Sequence, residues 1–260
     1  MRERTDVQVS VDYTIANHAN RVQLESITLA PLEVKQIELS KELARQGVTG
    51  RVDEAGVDIS YEGMPGTVIG RLTSYDSRGD YSFDAPVKDP LAGANRTNGS
   101  YPWRLDNGYT TVVHLKNITD RDVEAMVQIR YEGGSYNPDL VKLAPYQTIA
   151  VDIRQLRDNQ QEDIRGVVMP KEIESGQVVW YEQERGSLIG RAEIANVEAG
   201  ISSSFSCPGV CPCGLVFSSG SLNPSSGRAL VTESGFMFAP REMRHDCNAI
   251  QYGPYGATAN

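Results

Sequence analysis

The side chains best equipped for chemistry gather near the end of the chain, where Cys207-Pro-Gly-Val-Cys211-Pro-Cys213 is followed later by His245-Asp-Cys247. Two kinds of bond fit them. An even number of cysteines in a β-rich chain reads as two disulfides, with three connectivities open to four thiols. A bridge from the cluster to Cys247 would close a loop of roughly 35 residues and stabilise this segment by about 3 to 4 kcal/mol on the chain-entropy model. The alternative is a zinc site built from the thiolates of Cys207, Cys211 and Cys213 with His245 and Cys247, since His-x-Cys can set two ligands on one side of a strand. Against zinc, Cys-x3-Cys-x-Cys is not the common ligand spacing.

The remaining candidates read more plainly. His18, His114 and His245 are the only histidines, and no serine sits in a nucleophile-elbow motif. His245-Asp246 lies near a serine-rich stretch, but a triad is defined by geometry and not by adjacency in sequence. His114 falls within a strand-like run and reads as structural or surface. Asp76, Asp80 and Asp84, then Asp120 and Asp122, lack the twelve-residue calcium pattern and read as solvated turns. Asn95-Arg-Thr, Asn98-Gly-Ser and Asn117-Ile-Thr match the glycosylation acceptor pattern and read as turn residues. Gly186-Ser-Leu-Ile-Gly-Arg191 has glycines but no phosphate-loop lysine. Trp103 and Trp180, with Tyr101 and Tyr181, could form an aromatic platform for a sugar, although Tyr181 aligns with Tyr61 and such repetition points to a core position. No catalytic residue, resident metal or cofactor is expected, and the chain does not read as an enzyme.

The elements that must position these residues are strands. Runs of four to eight residues rich in Val, Ile, Thr and Tyr alternate with Gly, Asn, Asp and Pro turns, the pattern of an all-β sandwich. The runs also recur. Leu29-Ala-Pro-Leu-Glu-Val-Lys-Gln-Ile matches Leu143-Ala-Pro-Tyr-Gln-Thr-Ile-Ala-Val at an offset of 114. Gly56-Val-Asp-Ile-Ser-Tyr-Glu matches Gly176-Gln-Val-Val-Trp-Tyr-Glu, and Gly66-Thr-Val-Ile-Gly-Arg71 matches Gly186-Ser-Leu-Ile-Gly-Arg191, both at an offset of 120. Val9-x-Val11-x-Tyr13 corresponds to Val127-x-Ile129-x-Tyr131, each with the period of a half-buried strand. One short helical turn is expected per copy: one with Ser40 as N-cap and Gly47 as its stop, the other opening at Asp152.

The expected organisation is a first β-sandwich repeat over 1–87, a linker over 88–100 and a second repeat over 101–206. Residues 207–260 would then begin a third, immunoglobulin-like β domain. The strand Thr110–Asn117 has no counterpart in the first copy, and no signal peptide opens the chain. Both facts suggest a segment of a longer protein. A net charge of −9 disfavours nucleic acid and anionic lipid as partners. Hydrophobic residues make up 40% of the chain, and no apolar run reaches the roughly 18 residues of a membrane span.

The run from Tyr101-Pro-Trp-Arg-Leu to His114-Leu-Lys-Asn, the Leu-Ala-Pro and Ile-Gly-Arg blocks and the junction Ser204-Phe-Ser-Cys-Pro resemble exported proteins of soil bacteria of the acidobacterial type. In those proteins tandem β-sandwich modules precede a bacterial immunoglobulin-like domain. The resemblance implies an extracellular or cell-envelope location. The chain itself reads as a non-catalytic structural or adhesive module that spaces and presents surface, with self-association through sheet edges or a protein surface as its partner. A polysaccharide bound through Trp103 or Trp180 is the alternative, and a zinc-binding or hydrolytic centre at the cysteine cluster and His245 is the second.

Overall fold

The computed structural model describes residues 4–16, 18–52, 54–64, 66–75, 82–87, 98–182, 186–205, 227–232 and 235–240. The fold is all-β and sandwich-like, built from antiparallel sheets. The cysteine cluster, His245 and Cys247, like Asp76, Asp80 and Asn95, lie outside the described residues.

The first unit is organised by β1 (Thr5–Ile15). β2 (His18–Gln23) and β3 (Ile27–Leu29) share one of its edges. After the helix α1 (Leu39–Arg45), β4 (Glu54–Tyr61) takes the other. Val7, Val9 and Val11 repeat at the strand period, so all three reach one face, where they are buried with Leu24, Leu29 and Leu43. Their even-numbered neighbours, Asp12 and Thr14 among them, point the other way. β5 (Arg71–Tyr75) and β6 (Ser82–Pro86) form a separate hairpin. α1 is capped differently from expectation: Glu38 holds the N-cap position, without a side-chain bond, and Ser40 lies inside the first turn. Gly47, at φ +80°, does stop the helix.

The second unit is a full sandwich. β7 (Asn98–Arg104) and β8 (Thr110–Asn117) are joined through a 3-10 turn at Asp106–Gly108. β9 (Val123–Tyr131) carries β10 (Gly134–Tyr136) and β11 (Val141–Leu143) on one edge. β12 (Thr148–Asp152) leads into α2 (Ile153–Asp158), whose N-cap Asp152 accepts a hydrogen bond from the Gln155 backbone at 3.1 Å. β13 (Ser175–Glu182) lies between β9 and β7. β14 (Leu188–Asn196) and β15 (Ile201–Phe205) complete a second sheet in the order β12-β8-β14-β15. Val113 and Leu115 from one sheet meet Val127, Ile129, Val178 and Trp180 from the other in a continuous core. Farther on, β16 (Gly227–Thr232) and β17 (Gly235–Pro240) pair as a hairpin.

Several local details recur between the units. In each Leu-Ala-Pro block the residue after proline takes a left-handed backbone, Leu32 at φ +63° and Tyr146 at φ +59°. Each turn is closed twice, by Glu33 N–H to the Ala30 carbonyl and by Ala30 N–H to the Glu33 carboxylate, with Gln147 and Ala144 repeating both bonds.

The strand register differs by one residue from the sequence match. Val11 pairs with Val57, and Ile129 with Val178, so β4 and β13 correspond at an offset of 121. Because side chains alternate faces, this slip exchanges core and outer positions. Tyr61 packs towards the first core, whereas Trp180, not Tyr181, faces the second. The supposed equivalence of Tyr61 and Tyr181 therefore fails. Strand count differs too: both β7 and β8 lack counterparts among the described residues of the first unit, where the sequence suggests only β8 is missing.

Candidate functional site

Trp103 and Trp180 are 1% and 3% exposed, so neither offers a face to a sugar. Both indoles are structural. Trp103 Nε1–H donates to the Arg130 carbonyl at 3.0 Å, and Trp180 Nε1–H points to Tyr101 Oη at 3.4 Å. The Trp180 ring is flanked by Gly99 and Gly190, where an added Cβ would collide with it. Tyr181 lies on the opposite side of β13 and accepts a bond from the Arg130 guanidinium at 2.8 Å. Asn117, in the third glycosylation-like triplet, is fully buried. Its amide donates to the Arg121 and Ala144 carbonyls and accepts from Thr119, so the side chain pins a turn. His18 is exposed on β2, and Asp120 and Asp122 are exposed in a turn. Among the described residues no group of His, Cys, Asp and Glu could hold a metal ion, and no helix is long and apolar enough to cross a membrane.

What the structure does bring together is a polar seam between the units. Alternation on β8 sends Val113, Leu115 and Asn117 to the second core and turns His114 and Lys116 towards β1 and β4. Lys116 Nζ reaches Asp12 at 2.5 Å and Asp58 at 3.4 Å, and donates to the Tyr146 carbonyl at 3.2 Å. Arg21, from β2, binds the same two carboxylates at 2.8 and 3.1 Å and lies over the Tyr146 ring at 3.8 Å. Farther along, His114 stands between Glu193 at 3.3 Å and Glu54 at 3.6 Å. Gly56 lets the sheets approach, because a Cβ there would run into Thr148 Oγ1 and Lys116 Nζ.

The electrostatics follow from burial. Desolvation, with the Asp58 carboxyl nearby, raises Asp12 to about 6 against the opposing pull of Lys116. Desolvation and the neighbouring Glu54 charge lift Glu193 to about 7. Burial lowers the Arg191 guanidinium while Glu54 supports its charge. Asp12, Glu54, Asp58 and Glu193 thus face Arg21, Lys116 and Arg191, with His114 among them.

Two carboxylates outside the seam are structural. Burial works to raise Asp163, but Arg165 and the backbone N–H groups of Val167, Asn137 and Arg165 overcome it and hold the carboxyl well below the usual range. Burial pushes Glu182 up, although it accepts from Ser187 Oγ at 2.7 Å and from the Gly186 N–H at 2.8 Å.

A cavity of about 310 Å³ opens along this seam, lined by β4 from Ala55 to Ile59 and by His114, Lys116, Leu72, Arg191 and Ser204. None of the seam residues except His114 stood out in the sequence. The signal was present only as charges at alternate strand positions, His114 and Lys116 or Arg191 and Glu193, which is also the pattern of a strand face in water. No protein-family model, curated protein or solved structure matches the chain, so what it does must be argued from this seam and its cavity.

Proposed function

We propose that the chain is a non-catalytic structural or adhesive module of an exported or cell-surface bacterial protein, made of two duplicated β units held in one fixed orientation. The observation that carries this reading is the seam. Lys116 reaches across from the second unit to Asp12 and Asp58, the two carboxylates that Arg21 binds within the first, Arg21 in turn lies over the Tyr146 ring, and His114 faces Glu54, which is the arrangement of a joint. A buried pair of this kind adds little net stability over apolar packing, but breaking one partner is costly, so it favours one docked geometry over others. Such a joint suits a rigid spacer that presents surface to neighbours.

Fractionation of the producing cells, with antibody detection, tests the proposal. Recovery from the envelope or the medium is expected; recovery from the cytosol would overturn it. Polysaccharide recognition by the two tryptophans loses its basis because their rings are enclosed.

A further inference from the structure

We infer that the cavity beside β4 is an acceptor groove for one extended strand of a separate polypeptide, which pairs antiparallel with β4 as β7 pairs with β13. The inference deepens the structural and adhesive reading above and rests on it.

The first observation is an edge. Among the described residues β4 pairs with β1 alone, whereas its counterpart β13 is paired on both sides, with β9 and with β7. An unpaired strand edge is a template for β-augmentation. The second observation is the position of the cavity. Five consecutive residues of β4, Ala55 to Ile59, line it. Successive side chains of a strand point to opposite faces, so a cavity that meets every residue in a row follows the edge, from Leu72 and Val87 on one side to the seam face with Arg21 and Lys116 on the other. The third is polarity. Thr148 Oγ1 and Ser204 Oγ are buried without a hydrogen-bond partner, and both residues line the same cavity. Buried hydroxyls in this state call for donors or acceptors from an occupant, and a peptide backbone supplies both. Leu72, Val87 and Ile189 add apolar walls for alternate side chains.

The second unit also indicates the chemistry of the occupant. β7 opposes Trp180 with Gly99, and a Cβ on that glycine would strike the indole. By strand register Ile59 occupies the place of Trp180, and Gly70 covers it closely as Gly190 covers the indole, so room for a Cβ on the occupant comes from the smaller side chain on the unpaired side of β4. The occupant should therefore resemble β7 with an aliphatic residue in place of that glycine.

The test uses the full chain and two capped synthetic peptides, one with the sequence of Asn98–Arg104 and one with Gly99→Val in that peptide. Backbone hydrogen exchange is followed during titration. The expected result is saturable protection of the amides of Ala55–Ile59, exchange slowing at least tenfold at saturation, with the Gly99→Val peptide binding more tightly and a scrambled peptide giving nothing. Ser204→Trp and Leu72→Trp, each checked for an unchanged circular dichroism spectrum, should abolish the protection; two plugging sites keep the test alive if one variant misfolds. No protection at millimolar peptide would overturn the inference, as would protection confined to β13 through exchange of its own β7. Protection that rises with protein concentration before peptide is added would overturn the separate polypeptide in favour of a second copy. A groove that stays empty leaves the seam and the cellular location untouched, so this failure is distinguishable from failure of the broader reading.

Discussion

The second unit, over 98–205, closes its core between two sheets, while the first, over 5–87, spreads similar strands around β1 and, among the described residues, leaves β4 paired on one edge alone. The matched positions Trp180 and Ile59 show the consequence. Trp180 is 3% exposed between Gly99 and Gly190, whereas Ile59 is only half-buried beside a cavity. Val34 and Ile69 of the first unit are 92% and 91% exposed, while Thr148, at the position matching Val34, is buried against Gly56 of β4. The place of Trp180 is thus closed by β7 in the second unit, and among the described residues no strand lies at the matching place beside Ile59.

The comparison can be broken most forcefully at its matched pair. Trp180→Ala should cost about 3 to 5 kcal/mol, the range for emptying a buried aromatic site, whereas Ile59→Ala should cost under about 2 kcal/mol because its site is already open. Urea unfolding of the two variants, followed separately by hydrogen exchange in each unit, checks the ratio. Equal losses would mean that the two cores are equivalent after all.

The seam comes next. Lys116→Met leaves Asp12 with Arg21 as its remaining cationic partner and should destabilise by about 1.5 to 3 kcal/mol, the range for a hydrogen bond to a charged group, while the double variant Lys116→Met with Asp12→Leu should regain part of that. A double-mutant cycle read by urea denaturation measures the coupling. Gly56→Ala should cost about 1 to 3 kcal/mol, since the new methyl group forces the sheets apart at Thr148 and Lys116. Small-angle scattering should report a longer particle for this variant.

A smaller effect depends on pH. Asp12 and Glu193 bind protons more tightly folded, at about 6 and about 7, than at their ordinary values of 3.8 and 4.5. The folded state therefore gains from protonation, and stability is fully present below about pH 4 for these groups and is lost as pH rises to about 7. Asp163 and Asp106 act with the opposite sign, since their depressed values make stability fall as pH drops below their ordinary range. Urea midpoints across this range should show the decline, and Glu193→Gln should flatten its upper half. The smallest expected change is Tyr181→Phe, which removes the bond from Arg130 on an outer face and should cost at most about 1 kcal/mol.

The β character and the short helices were readable from local sequence, because each depends on residues a few positions apart; the turns closed at Leu-Ala-Pro were not, since the sequence presented that block only as a repeated match. Val7, Val9 and Val11 announce a buried face by period alone, and Asp152 announces a cap by type and place. The match between the two stretches of sequence misses the strand register by one residue at β4 and β13. Gly-x5-Glu aligns as text at an offset of 120, but pairing with β1 and β9 sets the face, and those partners lie 46 residues away for Val11 and Val57 and 49 for Ile129 and Val178, beyond the reach of a local pattern. Tyr61 and Tyr181 look alike and point differently for that reason.

The amino-acid sequence by itself determined which residues could be strands, which turns would close them and which positions along each strand would share a face, since these follow from backbone sterics and a period of two. Only the tertiary structure decided that the polar faces of β1, β4 and β8 meet. Asp12, Arg21, Asp58 and Lys116 carry charges that water would accept as readily as one another. Their partnership exists because two sheets, each committed to its own core, bring their remaining faces close enough for Gly56 to matter.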